Sequence, residues 1–295
     1  MMVRDIVFPP GNSNVLKLES RRVDFSSQFN QRINRNLDIN ATEILTNEPS
    51  RYIFKEEALP LYCDRGHFGL NIFHLNCQGL NSAHNFLSEL INTNVFQVIA
   101  LTETWLNDNN SQLLHIPGYN LYVRNREYYQ HGGLAAYIQA DYKVSIREDL
   151  TIYREKVCEC FVLHITRENL NFCIVVVYRP PQSLLQDFMD LFEEQLMKLP
   201  INSMPCFIMG DFNIDLIDQS SASTEFINRS LSNGFHPCIN IPTRITGTSA
   251  KLLDNILSNV PLSLPRVLIN DVSDHFGVSA SFRTVTKVVK GKKSR

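Results

Sequence analysis

The chain has 295 residues, of which 44% are hydrophobic and 20% are charged, so wholesale disorder is excluded and a large core is expected. The formal net charge of -2 argues against a uniformly basic coat for nucleic acid. The charge is nevertheless segregated. Residues 67–282 contain 13 Lys and Arg against 21 Asp and Glu, whereas residues 283–295 contain 6 Lys and Arg and no acidic residue. The sequence therefore predicts an acidic body with a basic tail.

Neither a membrane protein nor a disulfide-rich secreted protein is predicted. No apolar run is long enough to span a bilayer, and the N-terminus lacks the apolar stretch of a signal peptide. The seven cysteines are an odd number, and Cys158-Glu159-Cys160 lacks the two-residue spacing of a zinc knuckle. We therefore expect buried, reduced thiols in an intracellular protein that has no membrane partner.

The first half of the chain changes character near residue 67. Residues 1–66 are polar with little periodicity, which predicts a largely irregular extension with short helical pieces. Residues 70–76 then predict a strand, and residues 82–93 predict an amphipathic helix with Ser82 as its N-cap. Residues 95–102 predict the next buried strand. Residues 119–123 and 133–138 predict two further short strands.

The second half combines a hairpin with helices. Residues 158–165 and 171–178 predict two antiparallel strands joined by residues 166–170. Helices are predicted at 184–199 and 225–233, and strands at 206–210, 252–257 and 276–282. Helices alternate with strands, yet some strands are hairpin neighbours. This combination predicts mixed β-sheets.

Four polar clusters lie at the ends of predicted strands, where a scaffold delivers side chains to a cleft. If Glu103, Asp211 and Asp274 converge, their oxygens would suit Mg²⁺ better than zinc. Taken singly, each cluster also has a structural explanation, such as an Asx turn or a structural histidine. Their joint occurrence favours a functional site. The clusters are Asn76-Cys77-Gln78-Gly79, Thr102-Glu103-Thr104-Trp105, Gly210-Asp211-Phe212-Asn213 and Ser273-Asp274-His275.

These clusters resemble motifs of the exonuclease–endonuclease–phosphatase superfamily, and more closely those of the apurinic-type endonuclease domain of non-LTR retrotransposons. The resemblance covers roughly residues 68–283. It implies an α/β fold, namely a four-layer α/β sandwich with two mixed β-sheets packed face to face and helices outside. It also implies one such domain at 67–283 and a basic tail at 284–295. The other matching segments are Gly132-Gly133-Leu134-Ala135, Val177-Tyr178-Arg179-Pro180, Pro242-Thr243-Arg244 and Leu252-Leu253-Asp254-Asn255.

The resemblance implies a metal site and a site for the attacking water. Glu103 would bind the metal with Asn76 beside it, and Asp274 would lie close to the metal. Asp211 and Asn213 would orient or deprotonate the attacking water and hold the scissile phosphate. The implied cofactor is Mg²⁺, with Mn²⁺ as an alternative metal.

The resemblance also implies contacts to the phosphate. His275 would contact it as a cation, and Asp254 would orient His275 and favour its charged form. Tyr178 and Thr243 would lie against the same phosphate. The implied catalytic residues are therefore Asp211, Asn213, His275, Asp254 and Tyr178, and the implied substrate-binding residues are Asn76, Thr243 and Asn213.

The implied function is Mg²⁺-dependent hydrolysis of DNA that leaves a 3′-hydroxyl, as in nicking of target DNA by a retrotransposon endonuclease. Repair-type relatives commonly have an acidic residue where Gln78 stands and an asparagine where Pro181 stands, which argues against abasic-site repair. Two alternatives stay open. One is a phosphodiesterase or phosphatase of the same fold acting on RNA or a small phosphate ester. The other is a non-catalytic, nucleic-acid-binding remnant of a mobile element.

Two segments outside the motifs bear on DNA binding. The basic tail could contact phosphates or serve as a nuclear-import signal, and the alternative is a solvated linker. An import signal predicts a nuclear protein. Target preference would depend on the predicted loops 107–117 and 258–270.

Overall fold

The computed structural model describes residues 48–63, 69–107 and 114–283. These residues form two facing β-sheets with helices on the outside. In chain order the elements are β1 (Arg51–Ile53), α1 (Lys55–Cys63), β2 (Gly69–Asn76), α2 (Leu80–Asn92), β3 (Val98–Thr102), β4 (Tyr119–Arg124), β5 (Leu134–Gln139), β6 (Lys143–Ile146), β7 (Glu159–Arg167), β8 (Leu170–Tyr178), α3 (Leu185–Lys198), β9 (Cys206–Asp211), α4 (Ser221–Ser232), β10 (His236–Pro237), β11 (Arg244–Ile245), β12 (Ala250–Lys251), β13 (Asp254–Ser258), β14 (Ser263–Leu268) and β15 (Gly277–Arg283).

Both large sheets are mixed, as the sequence predicts. The seven-stranded sheet has the order β1-β14-β15-β2-β3-β5-β4, and the six-stranded sheet has the order β10-β13-β9-β8-β7-β6. In each sheet a helix connects two parallel neighbours, α2 between β2 and β3 and α3 between β8 and β9. The short strands β11 and β12 form a separate hairpin. The predicted α/β sandwich is therefore confirmed.

Alternation along β2 separates two hydrophobic clusters. Ile72 is buried in the cluster that also contains Ile208 of the six-stranded sheet. Phe73 and Leu75 point the other way and are buried with Leu87 of α2. Because successive side chains of a strand face opposite sides, β2 contacts both the facing sheet and the outer helix layer. Both faces of this central strand are therefore covered.

Two helices begin earlier than predicted. Helix α2 starts at Leu80 because Gly79, with φ of 108°, is its N-cap. Ser82 lies within the first turn, where its hydroxyl donates to the Gly79 carbonyl at 2.7 Å, so the prediction of Ser82 as N-cap is wrong. Helix α4 starts four residues before its predicted beginning. There the Ser220 side chain accepts a hydrogen bond from the Ser223 amide at 3.3 Å.

Six strands lie where none was predicted, namely β1, β6, β10, β11, β12 and β14, and two of them extend the seven-stranded sheet. The predicted loop 258–270 contains β14, in which Pro265 and a register shift between Ser263 and Arg266 break the alternation that would identify a strand. Strand β1 pairs in parallel with β14. Residues 48–63, within the predicted irregular extension, therefore supply an edge strand and a helix. Residues 1–47, most of the loop at 107–117 and the basic tail lie outside the described residues.

The predicted burial of the cysteines agrees with the structure. Among the residues whose side chains the structure describes, six cysteines are free and buried, namely Cys77, Cys158, Cys160, Cys173, Cys206 and Cys238. Among the described helices, none is long and apolar enough to cross a membrane.

Candidate active site

The polar residues that end the central strands meet at one edge of the sandwich. Asn76 is the last residue of β2, and Glu103 directly follows β3, which runs parallel to it. In the facing sheet Asp211 ends β9 and pairs directly with Asp254, the first residue of the antiparallel strand β13. The two sheets thus bring four polar side chains from distant parts of the sequence to a common edge.

Asn76 connects the two sheets. Its side-chain nitrogen donates to Glu103 Oε1 at 2.9 Å and to Asp211 Oδ2 at 2.8 Å. The Tyr178 hydroxyl donates to the same Glu103 oxygen at 2.8 Å. Burial raises the pKa of Tyr178, and the charges of Glu103 and Asp211 raise it further, so the phenol stays protonated and remains a donor. The predicted residues Asn76, Glu103, Asp211 and Tyr178 therefore form one hydrogen-bonded group.

Asp211 is buried and held by Asn213. The Asn213 backbone amide donates to Asp211 Oδ1 at 2.9 Å, and its side-chain nitrogen donates to Oδ2 at 3.2 Å. Asn213 adopts a φ of 47°, a conformation that asparagine tolerates better than most residues. Burial and the neighbouring Asp254 charge raise the pKa of Asp211 to about 7, although His275 acts in the opposite direction. Asp211 is thus an oriented carboxyl group that can exchange a proton near neutral pH.

His275, Asp254 and Thr243 form a second hydrogen-bonded group. His275 Nδ1 lies 2.8 Å from Asp254 Oδ2, which also accepts from the Thr243 hydroxyl at 2.7 Å. Burial opposes the charge of His275, but Asp254 and Asp211 outweigh it and raise the pKa to about 10. Burial likewise opposes ionisation of Asp254, yet His275 lowers the pKa of Asp254 below its usual value. The pair is therefore an imidazolium beside a carboxylate.

Asp274 lies on the histidine side of this edge. Its Oδ2 accepts from Arg244 Nε at 2.8 Å, and its Oδ1 lies 3.7 Å from His275 Nε2. Within the described part of the chain no hydrogen bond joins Asp274 to Glu103 or Asn76. The predicted metal-binding role of Asp274 thus stays a prediction, and Arg244 is a neighbour that the sequence did not reveal.

The group around Glu103 fits a divalent cation such as Mg²⁺. Carboxylate and amide oxygens are the ligand atoms that such ions prefer. Both hydrogen bonds to the Glu103 carboxylate reach Oε1, and no side chain or amide of the described residues donates to its Oε2. Ligand atoms of Asp211, Asp254 and His275 also lie within 4.8 Å of one another. Since His275 Nδ1 already shares a proton with Asp254, a cation there would have to displace that proton, so Glu103 and Asn76 are the better candidates.

His74 is a buried member of the site that sequence reasoning missed. It precedes Asn76 by two residues on β2 and therefore faces the same side. Its Nδ1 lies 3.9 Å from Asp254 Oδ1, and its Nε2 lies 3.2 Å from the Thr102 hydroxyl. Burial lowers its pKa to about 4 despite the nearby carboxylate, so His74 is neutral. Its position two residues before Asn76 in an apolar strand was the signal available in the sequence.

A buried group of carboxyls beside an imidazolium suits chemistry on anionic phosphate esters, because positive charge offsets the charge that develops on phosphoryl oxygens. The fold and site thus define a phosphoester hydrolase. The chain belongs to the Endonuclease/Exonuclease/phosphatase family, whose model matches residues 73–275. Enzymes of this family are typically dependent on a divalent metal.

Solved structures of the same fold include nucleases and a phosphatase. The endonuclease domain of TRAS1, a telomere-specific non-LTR retrotransposon, aligns with a TM-score of 0.60 and 15% identity over 73% of this chain and 98% of that domain. An AP endonuclease from Archaeoglobus fulgidus aligns with a TM-score of 0.58 and 15% identity over 73% of this chain and 100% of that chain. Mannosyl-6-phosphatase Bt3783 from Bacteroides thetaiotaomicron aligns with a TM-score of 0.55 and 14% identity over 72% of this chain and 98% of that chain. A search of curated protein sequences gave no significant match. These likenesses therefore show the fold.

Proposed function

We propose that this protein is a Mg²⁺-dependent endonuclease that hydrolyses DNA phosphodiester bonds and leaves a 3′-hydroxyl and a 5′-phosphate. The observation that carries the proposal is the link through Asn76 between the Glu103 carboxylate and Asp211, with the His275 imidazolium 4.0 Å from Asp211. Likeness to the TRAS1 endonuclease domain supports DNA as the substrate. The catalytic unit is proposed to span residues 67–283.

Each residue has a task in this reaction. A divalent cation held by Glu103 and Asn76 would offset negative charge on the phosphoryl oxygens. His275, kept charged by Asp254, would donate from Nε2 to a phosphate oxygen. Asp211 would accept the proton of the attacking water, with Asn213 fixing its orientation. A bond forms between the water oxygen and phosphorus, and the bond to the 3′ oxygen breaks. The 3′ oxygen takes a proton from solvent water to become the hydroxyl, and Asp211 releases its proton to solvent.

The remaining residues orient this group. The Tyr178 hydroxyl fixes Glu103 Oε1, and the Thr243 hydroxyl fixes Asp254 Oδ2. We propose that Tyr178 also contacts the phosphate, because its proton is retained. Thr243 in addition accepts from the amides of Leu253 and Asp254, both at 3.1 Å. It therefore holds the start of β13 in place beside the phosphate.

The test is nicking of supercoiled plasmid DNA with Mg²⁺. We expect relaxed circles with Mg²⁺ or Mn²⁺, none with EDTA, and 3′ ends that a polymerase extends. Glu103→Gln should lower the nicking rate by about 100-fold or more, as expected for loss of a metal-binding carboxylate. The matched control is Glu194→Gln on α3, where the side chain is 50% exposed and should not affect the rate. An unchanged rate in Glu103→Gln would overturn the metal assignment.

The same preparation separates the two alternative functions. Turnover of an RNA oligonucleotide or a small phosphate monoester, with no nicking of plasmid, would favour the alternative substrates. Likeness to a mannosyl-6-phosphatase makes the monoester a necessary substrate to test. DNA binding without cleavage in Mg²⁺ would favour a non-catalytic remnant. A nuclear location fits a DNA substrate, and the basic tail supports that proposal.

A further inference from the structure

An exposed pair of aromatic rings lies beside the candidate site. Trp105 is 41% exposed, and its ring centroid lies 4.8 Å from that of the exposed His131, with the planes at 79°. Trp105 follows Glu103 by two residues, so their Cα atoms lie within about 7 Å of each other. The pair therefore borders the place where the scissile phosphate would bind. None of the proposed chemical steps uses either ring.

Trp105 is held in an uncommon backbone conformation. Its φ is 54°, in the left-handed region that bulky residues rarely adopt, and Glu103 has a φ of 52°. Neighbouring loops fix both residues. The Trp105 amide donates to the Gly132 carbonyl at 2.9 Å, and the Gly79 amide donates to the Glu103 carbonyl at 2.8 Å. Strain of this kind persists where the surroundings impose it, and it is typical of functional sites.

Packing positions both rings before any ligand binds. A Cβ added to Gly79 would lie 3.0 Å from Trp105 Cε3, so the indole rests directly against the backbone at Gly79. The loop that carries His131 is anchored by an ion pair between Arg126 and Glu159, whose side chains are 7% and 0% exposed. Glu159 Oε2 also accepts from the Gly133 amide at 3.0 Å. A buried, hydrogen-bonded pair of this kind holds the loop in a defined position.

We propose that Trp105, flanked by His131, is a stacking surface for one unpaired nucleobase next to the cleaved phosphate. A rigid, half-exposed indole offers a π-face on which any base can stack, so such contacts tolerate sequence variation. The occupant would be a base in single-stranded or locally opened DNA. This inference rests on the proposed function and narrows its substrate class.

Trp105 is the sole tryptophan of the chain, so its emission reports on this surface alone. We would titrate the full chain in EDTA, which prevents cleavage, with a labelled single-stranded oligonucleotide, and follow binding by anisotropy and tryptophan emission together. We expect quenching that saturates with binding. A matched strand of abasic deoxyribose phosphates should bind without comparable quenching, because it lacks bases.

Variants test the energetic contribution of the ring. Trp105→Leu should weaken single-strand binding about tenfold, in the range seen for loss of base–aromatic stacking, whereas Trp105→Phe should weaken it about threefold or less. Met197→Ala is the control, since this exposed residue lies on α3. Circular dichroism would verify that each variant is folded. Equal losses in Trp105→Leu and Trp105→Phe would contradict a stacking role.

The outcomes separate this inference from the proposed function. Binding with unchanged emission, or equal quenching by the abasic strand, would overturn the stacking surface and leave the endonuclease proposal intact. Base-dependent quenching without plasmid nicking would support the surface and count against the catalytic proposal. Absence of oligonucleotide binding by anisotropy would overturn the stacking surface, whereas the endonuclease proposal would still be decided by plasmid nicking with Mg²⁺.

Discussion

His275 keeps its positive charge in a buried site because two carboxylates lie beside it. Asp254 is 2.8 Å and Asp211 is 4.0 Å from its Nδ1. An isolated buried imidazolium would lose its proton, since transfer out of water penalises charge. The arrangement therefore supplies a buried, fixed cation, which under the proposed function would lie at the phosphate.

The raised pKa of His275 predicts how stability depends on pH. A group whose folded pKa of about 10 exceeds its ordinary value of 6.5 stabilises the fold fully below pH 6.5. That contribution is lost as the pH rises from 6.5 towards 10. The difference in unfolding free energy between wild type and His275→Gln should therefore shrink over this interval.

Urea denaturation of both proteins across this pH range would measure the difference. His236→Gln is the control, because burial lowers the pKa of His236 and its titration lies at lower pH. A difference that stays constant, or grows as the pH rises, would contradict the charged state assigned to His275.

At the scale of the elements, close contact between β8 and β9 places Asp211. The two strands are parallel, and Gly210 pairs with Val177. A Cβ added at Gly210 would lie 1.9 Å from the Val177 carbonyl oxygen, so any side chain would push the strands apart. Glycine is therefore required one residue before the proposed catalytic carboxylate.

We predict that Gly210→Ala destabilises the protein by about 3 kcal/mol, at the upper end of the usual cost of overpacking. Thermal unfolding followed by circular dichroism would measure the loss. Gly118→Ala is the matched control, since its φ is positive but a Cβ there meets no atom within 4 Å. If both changes lowered the stability equally, the loss would come from the conformational freedom of glycine. That result would contradict the role of the close strand contact at Gly210.

The edge strand β1 supports the loop next to the site. The Tyr52 hydroxyl donates to the Pro242 carbonyl at 2.9 Å, and its ring packs edge-on against Phe276 at 6.2 Å. Pro242 precedes Thr243, and Phe276 follows His275 in the chain. Tyr52, which precedes the residues that match the family model, thus contacts the chain next to both Thr243 and His275.

At the scale of the whole molecule, the proposed function would require an acidic body to approach an acidic polymer. Residues 67–282 have an excess of 8 negative charges, whereas residues 283–295 have 6 positive charges. A bound cation would offset repulsion only locally, because charges in solution are screened within about 10 Å at ordinary salt. The tail is the segment of the sequence whose positive charges could attract DNA at places other than the candidate metal site.

Deleting residues 284–295 should therefore weaken DNA binding most at low salt, with little effect on the chemical step. The slope of log affinity against log salt concentration should become less steep, because fewer counterions are released from DNA. Fluorescence anisotropy at several salt concentrations would measure the slope, and single-turnover nicking would measure the chemistry. An unchanged low-salt affinity would make the tail a linker.

The sequence by itself determined most of the elements, and it predicted most of the residues of the candidate site. Apolar strands such as 206–210 ended at polar motifs, and hydrophobic alternation is a local property that can be read from neighbouring residues. It did not identify β1 or β14, because β1 has only 3 residues and β14 contains Pro265 and a bulge.

Only the tertiary structure decided which polar side chains form hydrogen bonds with one another. Asn76 and Asp211 are 135 residues apart, and Tyr52 and Pro242 are 190 apart, so no local pattern encodes their contacts. Strand pairing also placed Asp274 against Arg244, and β-strand alternation brought His74 to the site. The composition of the site thus follows from local sequence. The geometry of the site follows from the packing of the two sheets, which brings the ends of their central strands to one edge.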